Sequence, residues 1–82
     1  MTHPTLQHAL RRAAIQLRFA RRAADMTGPG SAIGLAATAY RLAREHLLHA
    51  LRIAKVLGLG GVVARVLLAL REVAKARTAL PV

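Results

Sequence analysis

His46 and His49 are the residues of this chain with the most chemistry open to them. Three positions apart, they share one face of any helix that carries them, a face also occupied by Leu42, Ile53 and Val56. Neutral imidazoles so placed can hold a metal or a haem iron from within a bundle, with Glu45 or Thr38 as outer partners and arginines pairing with anionic groups such as propionates. A third ligand is missing: His3 and His8 lie at the far N-terminal end, the only acids are Asp25, Glu45 and Glu72, and there is no cysteine. The plainer reading, two half-buried histidines hydrogen-bonded across an interface, therefore carries more weight, and haem stands only as an alternative cofactor. A pH-sensitive interface is the third reading, because protonated imidazole would add charge to a chain that is already positive.

Arginine is the second chemical signal. Thirteen Lys and Arg, eleven of them Arg, face three acids and give a formal charge of +10. Such an excess attracts acidic proteins, nucleic acid and anionic head groups alike. Arg11, Arg12, Arg18, Arg21 and Arg22 form the densest patch. Of these, Arg11, Arg12, Arg18 and Arg22 are the anion-binding candidates, with Ile15 and Phe19 as apolar anchors among them. An ordinary solvated helix face mixes both signs, which this one does not. Nucleic-acid binding has charge in its favour and nothing else: no helix-turn-helix signature, no zinc ligands and no aromatic platform, so any such binding would be non-specific. A basic helix could lie on a membrane, but the apolar stripe here is mostly alanine and no Trp anchors it.

Catalysis finds little to work with. Gly28, Gly30 and Gly34 sit near a helix start, where free amides could cradle phosphate, but no strand precedes them and no Lys-Ser/Thr pair follows. Gly58, Gly60 and Gly61 fail the dinucleotide pattern in the same way, and Ser31 has no convergent base. The expectation is a protein that is not an enzyme.

The elements that must position these residues are helices. Thr27-Gly28-Pro29-Gly30-Ser31 and Gly58-Leu59-Gly60-Gly61 break the chain twice. Pro4 suits a first helical turn, Ser31 a cap and Gly58 a C-terminal stop. The fold expected is all-α: one domain over 1–82, with three long antiparallel helices in an up-down-up bundle at about 4–26, 31–57 and 61–77. Leu6, Leu10, Ala13, Leu17, Ala20 and Ala24 form the core stripe of the first helix. The second carries two apolar sides, one with Leu35, Leu42, Ile53 and Val56, the other with Ile33, Tyr40, Leu47 and Leu51. Val62, Val66, Leu70 and Val73 line the third, widened by Val63 and Leu67. A five-residue echo at a spacing of 34 residues, Leu17–Arg21 against Leu51–Lys55, matches the tetratricopeptide period, but that repeat's other positions do not follow, and it reads as coincidence.

Ile15, Phe19, Leu48 and Leu68 fall off these stripes and are the interface candidates. No apolar run approaches the roughly 20 residues that span a bilayer. Nor does the N-terminus offer the apolar core of a secretory signal, so a soluble chain, cytoplasmic or recombinant, is expected.

With long Ala/Leu/Arg registers and glycine stops, the chain resembles an idealised, computationally designed helical bundle, in which propensity, pattern and turn chemistry agree. Scarce acids and histidines on an apolar face depart from that type. The resemblance implies a scaffold without chemistry of its own, made for association with copies of itself or with an acidic protein. A haem or small-anion carrier and a non-specific nucleic-acid binder are the alternatives.

Overall fold

The computed structural model describes residues 4–25 and 31–80, with side chains from residue 34 onward in the second range. Three helices account for nearly all of them: α1 (Pro4–Asp25), α2 (Ser31–Val56) and α3 (Gly60–Ala79). Residues 26–30, the side chains of Ser31 and Ile33, and His3 lie outside the described residues. α1 has Pro4 at its first position, where the missing N–H costs nothing, and no glycine or proline after it. Its start and both ends of α2 fall within one residue of expectation, and the expected end of α1 at residue 26 lies outside the described residues. α3 runs two residues further than expected, because Lys75-Ala76-Arg77-Thr78-Ala79 are mostly good helix formers and Thr78 Oγ1 donates to the Ala74 carbonyl at 2.9 Å. It stops at Leu80, whose extended backbone (φ −66°, ψ 132°) is the conformation a following proline requires.

The α2–α3 connection is a Schellman turn. Leu59 N–H reaches back to the Ala54 carbonyl (2.9 Å) and Gly58 N–H to that of Lys55 (3.1 Å), while Gly58 itself adopts φ +70°. The expected glycine stop is therefore in place.

Helices of 26 and 20 residues are about 39 and 30 Å long. A particle of 45 × 20 × 14 Å holds them only side by side, so the short connections make the helices antiparallel, up, down and up. α2 is the middle element, packed against both neighbours. Among the described residues, no Cα of α1 comes within 8 Å of one in α3.

The core differs from the expected stripe in one instructive respect. Nine of its fourteen buried residues are alanine, and Ala20, Ala36, Ala43, Ala50 and Ala54 are fully enclosed. The buried seam of α1 is Leu6, Ala9, Ala13, Ala20 and Ala23, not the Leu10–Leu17–Ala24 line, of which the two leucines are half-buried and Ala24 is exposed. On α2 the buried alanines are Ala36, Ala39, Ala43, Ala50 and Ala54. Side chains that end at Cβ let two backbones come close, and the larger leucines are displaced to the edges of the contact, where Leu10 and Leu17 pack against the cluster. On α2, Tyr40 and Leu47 are buried, whereas Leu35 and Val56 are exposed rather than core. α3 adds only Val66 and Val73 to the buried set, and Leu67 is exposed.

Candidate functional site

All thirteen basic side chains are exposed. Among the described residues the one ion pair joins Lys75 Nζ to Glu72 Oε1 at 3.8 Å, in water. On α1, Arg11, Ile15, Arg18 and Arg22 recur at helical spacing on the side turned away from the alanine seam, and Ile15 is 61% exposed. Arg12 lies a step further round, where its Nε donates to His8 Nε2 at 3.1 Å. The face is thus a row of unpaired guanidinium groups around an isoleucine, with Phe19 (49% exposed) at its margin.

A shallow groove of about 240 Å³ separates α1 from α3. Leu17 and Arg21 form one wall, Ala69, Glu72, Val73 and Ala76 the other, and Tyr40 its floor. Its two charges oppose one another and its base is filled by the tyrosine ring. This groove fixes the directions of neighbouring residues: two positions along a helix is more than half a turn, so Phe19 and Leu42, each two residues beyond a groove residue, point to the side away from α3.

That side holds the histidines. His46 is half-buried and His49 is exposed, beside a depression of about 400 Å³ that is lined by His49, Arg52, Ile53, Val56 and Leu57. Both project from one face of one helix, so they cannot approach a haem iron from opposite sides. Among the described residues no group of three metal-ligating side chains exists. The arrangement offers two imidazoles to a surface rather than a ligand set to an ion.

The four interface candidates do not form one patch. Ile15 lies on the outer side of α1 and Phe19 on the side away from α3; Leu48, half-buried, is on the other flank of α2 from His46; and Leu68, 60% exposed, is on the outer side of α3. Leu35, Leu57 and Leu59 are exposed as well. Arg41, Arg44, Arg52 and Lys55 all fall outside the arc that runs from Glu45 through His49 and Leu42 to His46. No helix among the described residues is long and apolar enough to cross a membrane. No protein family, characterised protein or solved structure matches the chain.

Proposed function

We propose that the protein works by association, without catalytic chemistry, and that the arginine face of α1 docks an acidic protein partner. The observation that supports this most is that twelve of its thirteen cations, every one of them exposed, have no acidic partner among the described residues. Surface charge left unpaired in this way steers and orients a partner of opposite sign. Ile15 and Phe19 favour a protein over nucleic acid, because a phosphate backbone gains from the guanidinium groups but has no use for the apolar side chains between them. A partner helix with carboxylates around an apolar stripe matches both.

The test is titration of a fluorescent amphipathic peptide bearing Glu and Leu on one helical face, with short duplex DNA as competitor. Ile15→Glu and Phe19→Ala should each weaken peptide binding about tenfold, the effect of losing about 1.4 kcal/mol at an apolar anchor. Arg18→Gln with Arg22→Gln should reduce both the affinity and its dependence on salt. If duplex DNA competes at equal concentration and the Ile15 and Phe19 variants bind as well as wild type, the face is a general polyanion surface and the reading fails.

A further inference from the structure

We infer that the turn between α2 and α3 docks the molecule, tip first, on an anionic lipid surface, with Val56, Leu57 and Leu59 entering the acyl region and Arg52, Lys55 and Arg65 meeting the headgroups. The inference goes beyond the acidic-partner reading and rests on different residues.

A helix connection exposed to water ordinarily carries polar side chains. This one has none, for the nine residues Val56–Ala64 are all apolar or glycine. Every residue from Lys55 to Gly61 is exposed, Val56 by 86%. Even the N-cap of α3, a position suited to Ser, Thr, Asp or Asn, is Leu59, with no side-chain hydrogen bond to the helix. Lying where two helices end in a particle 45 Å long, the stretch is a convex tip rather than a groove.

The backbone of this tip is prepared for an apolar medium. The N–H groups of Leu57, Gly58, Leu59 and Gly60 donate to the carbonyls of Ile53, Lys55, Ala54 and Gly58, at 3.0, 3.1, 2.9 and 3.2 Å. Hydrocarbon offers a free amide no partner, so a turn that closes its own bonds enters it at lower cost than an open loop.

Charge selects the surface. Arg52 and Lys55 fall within the last five residues of α2 and Arg65 five residues into α3, all three exposed. The acids are remote: Glu45 lies about 17 Å before the end of α2, Glu72 about 18 Å into α3, and Asp25 closes α1 at the opposite end of the molecule. A like-charged copy is repelled by this collar, nucleic acid has phosphates but no hydrocarbon, and a protein would need a pit cut to a convex turn. An anionic bilayer supplies headgroups at the level of the cations and a deformable apolar phase beneath them. The depression of about 400 Å³ beside the tip sets the Arg52 guanidinium against Ile53, Val56 and Leu57, a pairing that suits a lipid's phosphate and acyl chain.

Co-sedimentation with phosphatidylcholine vesicles, with and without phosphatidylserine and in moderate salt, reads the contact. Wild type should bind the vesicles that contain phosphatidylserine and not those that lack it. Val56→Gln with Leu57→Gln keeps the net charge and changes only exposed positions, yet should weaken binding at least about tenfold, because the apolar insertion is lost. Arg52→Gln with Lys55→Gln should weaken it about tenfold as well. Leu68→Gln, on the outer side of α3, should bind as wild type does. Insertion is read in this cysteine-free chain by an environment-sensitive fluorophore on Leu57→Cys, which should shift to the blue on vesicles and be quenched by lipids brominated in their acyl chains, while the same label on Thr78→Cys, at the far end of α3, should do neither. A wild type that ignores phosphatidylserine, a Val56→Gln/Leu57→Gln variant that binds undiminished through the +10 charge alone, or a label at position 57 that stays in water overturns the inference. The acidic-peptide titration reads Ile15 and Phe19 on α1, so the two proposals stand or fall separately.

Discussion

Gly34 and Gly58 have the same side chain in backbones that ask different things of it. Gly34 lies within α2, and a Cβ there would have nothing within 4 Å. Gly34→Ala should therefore stabilise the protein by about 0.5–1 kcal/mol, the helix-propensity difference between the two residues. Gly58 holds the Schellman turn at φ +70°, where space is equally free but the conformation is not, and Gly58→Ala should cost about 1–2 kcal/mol. Urea unfolding midpoints for the two variants test the pair, and a shift of the same sign in both would contradict the turn assigned here. At this scale the sequence was a good guide: a glycine after a long helical pattern is a stop signal because only glycine enters the left-handed region without penalty. The histidines were less legible, since spacing put them on one face but left open whether that face was covered.

At the scale of the helix, the alanine seam between α1 and α2 carries the most specific expectation. Ala20 is fully buried where the helices approach, whereas Ala24, one turn later on α1, is exposed. Ala20→Leu should destabilise by about 1–3 kcal/mol through overpacking, while Ala24→Leu should leave stability within about 0.5 kcal/mol. Equal unfolding free energies for the two would mean that the seam is not where the structure places it. Helical periodicity put Leu10, Leu17 and Ala24 on the core stripe of α1 beside Leu6, Ala13 and Ala20, and left Ala9 and Ala23 out. Contact reverses this, because the closest approach of two helices is decided by which side chains are small. Leu10 follows Ala9 directly and Leu17 lies one turn from both Ala13 and Ala20, so only the distance between the helices could choose among them.

The whole molecule is a +10 particle with one exposed ion pair among its described residues, so its folded state works against its own charge. Raising sodium chloride from 20 mM to 500 mM should increase the thermal midpoint, since screening relieves repulsion and has little attraction to weaken; a fall in Tm with salt would show that unseen attractive pairs dominate. The sequence by itself determined the class of fold, the number of helices, the Gly58 stop and the sign of the surface, because each follows from local propensity or from a sum over residues, neither of which needs a partner. Tertiary structure decided which alanines are core, that α1 and α3 stand apart over Tyr40, and that Leu48 and Leu68 lie on sides of the molecule different from that of Ile15 and Phe19. Those outcomes depend on how closely helices approach and how they are rotated about their axes. Several apolar arcs on α2 could each have faced a neighbour, and packing chose among them.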